Sequence, residues 1–518
     1  WLANSGADFY NGVATQSLRF DDGSSAYLTR TPSSAGNRLK WTWSGWFKRT
    51  TNASASIFMA GTNGSNDGQI YFTTNTLRIL NRTSGSVNTI KDNSALYRDS
   101  SAWYHVVVIW DTAQSDADDR VREYVNGKRI TAFGSNTKPS QNTTSIFNNN
   151  VAHRIGVVTN GTQFFDGYMA EVNFLDGYTV GETDGYLDEL GEVKNGVWIP
   201  KEYTGSYGTN GFRLKFDQVG VGTASTSTIG ADTSGNTNHW TSSGIVASDC
   251  SLLDSPENNF ATLNPLYATE NANFSECNLR LDYSSGTFNT AGSTIATGSM
   301  KFYAEVLLLN STTSPAEAGI GIVNADKFAW NTDNANPVTG NNGVRYKTQD
   351  GGIDNGYGTN GSGATLTSND ILGIACDPIN GILAFYKNGS LQDTVNIDTG
   401  LSYTVAMNDA SRFTHDVDFV VNYGQDSSFA GTKTAQGNTD GNGIGDFYYA
   451  PPSGFLALCT ANLPEPTIGA NSDTQADDYF NTVLYTGDGG TQAITGVGFQ
   501  PDWVWIKERS STSSHALF

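Results

Sequence analysis

The sequence predicts an all-β protein, built of antiparallel β-sandwiches in series with the start of a third β-module at its end. Three observations predict this. Ile371 to Gln392 (ILGIACDPINGILAFYKNGSLQ) reads as three strands joined by two tight turns, the second at Asn388-Gly389. Asn-Gly between apolar runs is a strong hairpin signal, because a type I′ turn needs positive φ at both central residues. An echo lies in the first half. Trp103 to Trp110 (WYHVVVIW) is followed by an acidic loop, and Arg120 to Val125 returns as a strand ending in Asn126-Gly127. Finally, 57 Gly and 12% aromatics fit many short strands with turn punctuation, and no long apolar stripe of period 3.6 predicts helices.

Composition narrows the function. At 518 residues there is room for two or three domains, each with a core. Only 16% of residues are charged, so much of the surface is neutral and polar. A net charge of −21 argues against nucleic acid as a partner, since phosphate binding needs clustered Lys and Arg. No apolar run is long enough to span a bilayer, and the start carries no signal-peptide pattern, so membrane insertion is not expected. Trp1 is not an initiating residue, and the natural terminus is expected upstream. Cys250, Cys277, Cys376 and Cys459 lack metal-ligand spacing; buried free thiols are expected, with a Cys250–Cys277 disulfide as the alternative.

In chain order, residues 1–13 read as a loose arm. Residues 14–218 read as the first sandwich, opened by short strands at Ser17 to Phe20 and Ala26 to Arg30. Lys40 to Arg49 (KWTWSGWFKR) alternates, with Trp41, Trp43 and Gly45 on one face and Trp46 and Lys48 on the other, which lets it bury aromatics and still reach solvent. Phe164 to Gly177 (FFDGYMAEVNFLDG) alternates likewise, with Met169 and Glu171 on one face and Ala170 and Val172 on the other. Residues 219–262, poor in large apolar residues and rich in Gly, Ser and Thr, read as a linker or an extended strap. Residues 263–470 make the second sandwich, and 471–518 begin a third β-module. There Trp503 and Trp505 face one way and Val504 and Ile506 the other. A strand apolar on both faces expects cover on both sides. The chain is therefore expected to continue past Phe518, or this segment to complete its sheet against a neighbouring subunit.

Residues 14–218 resemble a laminin-G-like, concanavalin-type jelly roll, through SLRF at 17–20, WSGWFKR at 43–49, AWYHVVV at 102–108, YVNG at 124–127 and FFDGYMAEVNF at 164–174. That resemblance implies a two-sheet sandwich and, in many relatives, calcium-assisted glycan or protein binding. Residues 263–470 resemble a SPRY domain, through KFYAEV at 301–306, AGIGIV at 318–323 and DILGIACDPINGILAFYKNG at 370–389. SPRY domains are binding modules without catalytic residues. The whole order, ending in GVGFQPDWVWIKERSS at 496–511, resembles fibre-like virion proteins of tailed bacteriophages that infect marine bacteria.

The chemistry searched for is sparse. Glycosidases on concanavalin-type sandwiches need paired carboxylates, typically Glu-x-Asp-x-x-Glu. Glu182-Thr183-Asp184 begins that way, but Tyr186 and Leu187 stand where the second Glu is required. The five histidines are scattered, and no nucleophile elbow, HExxH or phosphate loop occurs. Asn438, Asp440, Asn442, Gly443 and Asp446 have the spacing of oxygen ligands around Ca²⁺, with Tyr449 where a bidentate Glu belongs. A solvated Gly/Asp loop is the competing reading. Asp166, Glu171 and Asp176 form a weaker calcium candidate. Trp330, Tyr346 and Tyr357 are candidate sugar-stacking aromatics, or else caps on the sandwich edge.

The expectation is therefore a non-enzymatic virion fibre or adhesin subunit, extracellular on the particle. It would be a homo-oligomer, a trimer by the fibre resemblance, contacting other virion proteins and a host-surface glycan or receptor. Ca²⁺ is the one cofactor the sequence suggests. A structural capsid or tail decoration protein and a polysaccharide-degrading enzyme are the rivals.

Overall fold

The computed structural model describes residues 9–62, 64–268, 272–283, 289–311, 318–327, 343–354, 359–409, 417–464 and 478–518. Among them helix is confined to two 3-10 turns, Ala247–Asp249 and Ala325–Lys327, and everything else regular is strand. Two sandwiches follow one another, as the composition and turn chemistry predict.

In the first sandwich, one sheet orders Leu18–Phe20, Gly167–Asp176, Lys40–Arg49, Trp103–Asp111 and Val121–Val125 side by side, all antiparallel. The facing sheet runs from Ser86–Asn93 through Thr76–Thr83, Asn66–Thr73 and Ala55–Thr62 to His153–Ile155, Tyr27–Arg30 and Thr241–Ser243. Between them lies an aromatic core in which Trp41 stacks on Trp110 at 5.9 Å and Trp43 on Phe58 at 6.0 Å. The alternation along Gly167–Asp176 breaks once. Glu171 sits at φ 47°, and the register against Lys40–Arg49 shifts between Ala170 and Asn173. This bulge turns Val172 and Phe174 into the core on the side that Met169 already faces, where strict alternation puts Val172 on the other face.

The second sandwich repeats the plan. Ile371–Asp377, Ile382–Lys387 and Ser390–Asn396 are successive hairpin strands at one side of a sheet that continues through Phe302–Ser311 and Val417–Asn422. The facing sheet centres on Ala318–Asn324 and Tyr403–Asp409. Both Asn-Gly turns have positive φ at both positions, 49° and 77° at Asn126-Gly127 and 48° and 78° at Asn388-Gly389. In each, the turn Asn pairs across to the strand that neighbours the one leading into the turn. Asn126 N–H donates to His105 O and its Oδ1 accepts from His105 N, while Asn388 makes the same pair with Ile371, all at 2.9 Å. A Cβ on Gly389 would lie 2.8 Å from Tyr449 Cδ1. Gly389→Val is therefore expected to cost more than about 1 kcal/mol, from backbone strain and that clash together. Urea unfolding of the two proteins measures it.

Two expectations need correction, and one alternative is decided. Of the two readings of residues 219–262, linker or extended strap, the strap holds. Trp240 is fully buried in the first core with Ile229 and Ile245, and Thr241–Ser243 pairs with Tyr27–Arg30, so this strap completes the first sandwich. The end of the arm is not loose, because Phe9 packs on Ile199 and Val13 is buried. Nor does the outer face of Lys40–Arg49 reach solvent. Lys48 is fully buried and donates to Asp254 Oδ2 at 2.8 Å, Asn259 Oδ1 at 2.8 Å and Phe260 O at 3.1 Å. The four cysteines are free and buried. In the last segment Trp505–Ile506 pairs with Ala516–Leu517, and Trp503, Trp505 and Phe518 are exposed.

Candidate functional site

Of the three candidate sugar-stacking aromatics, Tyr346 alone is among the described residues, and Trp330 and Tyr357 lie outside them. Tyr346 is no loop aromatic. It sits on Val344–Lys347, fully buried, 5.5 Å from the ring of Phe385, with its hydroxyl donating to Ala364 O. The calcium-like loop is held by donors. Asp440 accepts from Asn442 N, Ile444 N, Ala457 N and Asn462 Nδ2 at 2.8–3.0 Å, so both its oxygens are used. Asp446 accepts from Ser427 N and Gly437 N, and Asn438 donates to Phe447 O and Tyr448 O. Asn442 Nδ2 donates to Asn462 Oδ1. A cation needs oxygens aimed at one point, whereas this spacing serves a hydrogen-bonded turn.

The weaker trio separates. Glu171 pairs with Arg213 Nε at 2.6 Å, and Asp176 binds Asn37 N and Asn210 N. Asp166 instead joins Asp21 and Asp22, with carboxylate oxygens within 4.8 Å of one another. That is the one such group among the described residues. Burial, then Asp22 and Asp21, push the Asp166 carboxyl up to about 7, opposed by hydrogen bonds from Thr50 and Cys277. Glu182, the first half of the glycosidase-like pattern, binds the Tyr124 hydroxyl and Arg122.

What the fold does assemble is the joint between the sandwiches. Arg19, fully buried on the first strand, reaches Asp249 on the strap at 2.8 Å, and Glu276 and Asp426 of the second sandwich at 3.6 and 3.5 Å. Phe260 bridges to Cys459, and Asn259 pairs with Thr460. Beside this joint open two cavities, of about 950 and 280 Å³, that share Tyr10 as a wall. The larger is framed by Leu253, Phe260, Ile444 and Leu463 with amides from Asn258 and Asn442. The smaller is lined by Trp46, Trp103 and Trp198 with Asn126 and Asp99.

Two of the rings in the smaller cavity are fixed from behind by hydrogen bonds. Trp198 Nε1 donates to His105 Nδ1 at 3.0 Å and stacks on Tyr186 at 6.0 Å. Trp103 Nε1 donates to Asp254 Oδ1 at 3.2 Å. Because Nδ1 of His105 accepts, its Nε2–H donates to Ser44 Oγ at 2.8 Å. The imidazole therefore cannot serve Ser44 as a base, and burial holds its pKa down to about 3. The arm is clamped as well. Glu257 accepts Gly12 N, Val13 N and Ala14 N at 3.0, 2.7 and 2.9 Å. Burial, then Glu257, push the Tyr10 hydroxyl up to about 12. Asp99 accepts from Ser101 N and Oγ. Both carboxylates of the two cavities thus already hold donors.

Residues 22–182 match the concanavalin A-like lectin/glucanase superfamily, and residues 475–518 match a family described as a domain of unknown function. No curated protein matches the chain. Among solved structures, the SPRY domain of human HERC1 is 14% identical with a TM-score of 0.27, covering 31% of this chain and 96% of that one. A heptameric SAP-like pentraxin from Limulus polyphemus is 16% identical with a TM-score of 0.25, covering 33% and 80%. Stonustoxin is 15% identical with a TM-score of 0.25, covering 31% and 27%. At these values the structural likenesses carry no argument about function. The class that stands is a chain of β-sandwiches, the first with a concanavalin A-like fold.

Proposed function

We propose that this chain is a non-enzymatic attachment subunit, a fibre or adhesin of a tailed-phage virion that binds a host-surface glycan or protein. It would lie outside the cell on the particle, as a homo-oligomer among other virion proteins. The observation that carries the binding part is the joint. Two sandwiches are locked together by buried ion pairs, and open cavities walled by fixed aromatic rings lie beside the lock. Fixed rings present apolar area at little entropic cost, which is what recognition needs. Glycoside hydrolysis needs two carboxylates flanking one bond, and each cavity is lined by a single one, Glu257 in the larger and Asp99 in the smaller.

The virion part rests on the module order ending in GVGFQPDWVWIKERSS. Purified protein is expected to be retained on host cells and to release no reducing sugar from host polysaccharide. Release that is lost on changing Glu182 or Asp184 would replace this reading with a hydrolase. Microscopy of intact particles tests the position. Density at the tail tip supports attachment, and density bridging capsid subunits supports decoration instead.

A further inference from the structure

We infer that the two cavities form one composite site for an uncharged oligosaccharide, with the N-terminal arm as its dividing wall. This rests on the binding reading above and deepens it. Neither cavity has a Lys or Arg among its described lining residues. An acidic sugar would enter a protein of net charge −21 without a counter-charge, at the cost of burying an unpaired anion. An amine would find both oxygens of Glu257 and Oδ1 of Asp99 already holding donors, which leaves Asp99 Oδ2 as its one anionic partner. What remains suits a neutral pyranose. Trp103 and Trp198 can cover its C–H face, and amides such as Asn126 can meet its hydroxyl rim. A volume of about 950 Å³ on the far side of Tyr10 leaves room for further sugar units.

Tyr10 is therefore a site residue, and Glu257 is the positioning residue that keeps it there through three backbone N–H groups. The fixing of Trp198 has a second consequence. A Cβ on Gly127 would lie 2.5 Å from the Trp198 ring, so the first Asn-Gly turn also sets the floor of the smaller cavity.

The test uses the full chain on an array of neutral hexose and N-acetylhexosamine oligosaccharides, uronic and sialic acid glycans, and immobilised host-surface proteins. Retention on neutral oligosaccharides is expected, and Trp198→Ala and Tyr10→Ala should each weaken it by about tenfold or more, as for central aromatic anchors. Tyr10→Phe keeps the ring and should keep the affinity. Equal thermal midpoints confirm that the variants fold; if Trp198→Ala does not, the Tyr10 pair decides. Preference for acidic glycans, or neutral binding indifferent to Tyr10→Ala, would overturn the inference and leave the attachment reading standing. Retention on host proteins alone would do the same. A chain that binds neither glycans, proteins nor host cells would sink both.

Discussion

Replacing Arg19 with Ala is expected to destabilise the joint by about 3–5 kcal/mol, the cost of removing one partner from a buried ionic cluster. Arg19 is fully buried, and the change would leave Asp249, Asp426 and Glu276 facing one another without a cation. Burial alone would lower the guanidinium pKa, but Asp249 and Asp426 outweigh it and raise it, so the charge persists at any working pH. Because Arg19 belongs to the first sandwich while Asp426 and Glu276 belong to the second, the loss falls on their coupling. The intact chain is expected to unfold the two sandwiches in one calorimetric transition, and Arg19→Ala to separate them into two. Lys48→Met, which strands Asp254 on the same joint, should act in the same direction. A single unchanged transition in both variants would show that the sandwiches are coupled by apolar packing instead.

How much of this was legible depended on the range over which each feature is made. The two Asn-Gly units were readable because turn chemistry is local: positive φ at Asn126 and Asn388 is a property of four residues. The core strands at Trp41 and Ile371 were readable for the same reason. Residues 219–262 left linker and strap both open because their Gly, Ser and Thr dilute one decisive residue, Trp240, whose burial depends on a cavity built elsewhere. Tyr346 read as a loop aromatic because its partner, Phe385, is 39 positions away. The calcium-like spacing at Asn438 to Asp446 is shared by cation loops and Asx turns. Donors from Ala457 and Asn462 decide between them, and they lie outside the motif. The candidate site was least legible of all. Tyr10, Trp103, Trp198 and Glu257 come from four separate stretches, and no pattern within any one of them points to the others. The one available signal was an excess of tryptophans on the outer faces of strands that already had an inner aromatic face.

Stability is expected to fall as pH rises from about 6.5 to 8, and Asp166→Asn is expected to remove the share of the fall that Asp166 carries, leaving that of Glu305 and Glu123. Burial pushes Asp166 up to about 7 from 3.8, and Glu305 up to about 7 from 4.5, the latter opposed by N–H donors from Tyr449, Tyr448 and Asn422. Burial also raises Glu123, with Lys91 opposing. A raised carboxyl holds its proton in the folded chain after the unfolded chain has lost it. The folded state therefore binds more protons between the two pKa values, and stability declines across that window. Two histidines act oppositely below it. Burial holds His105 down to about 3 and His153 to about 4, so the unfolded state takes up their protons below about 6.5 and stability rises toward that pH. The two effects offset each other between about 4 and 6.5, and above that only the carboxyls remain. Asp377 does not enter, because hydrogen bonds from Lys301 and Asn380 outweigh its burial and hold its carboxyl below the usual carboxylate range. The net loss from 6.5 to 8 is about 1–2 kcal/mol for Asp166 and Glu305 together, at about 1.4 kcal/mol per pH unit per fully titrating group. Asp166→Asn keeps an acceptor for Thr50 and removes the charge beside Asp21 and Asp22. It should stabilise the chain at pH 8 by about 2–4 kcal/mol and change it little at pH 4. Urea midpoints at pH 6.5 and 8, for both proteins, measure this directly. A midpoint that rises toward pH 8, or a variant that tracks the parent at every pH, would mean that Asp166 is ionised in the folded chain with a cation or a donor holding it so.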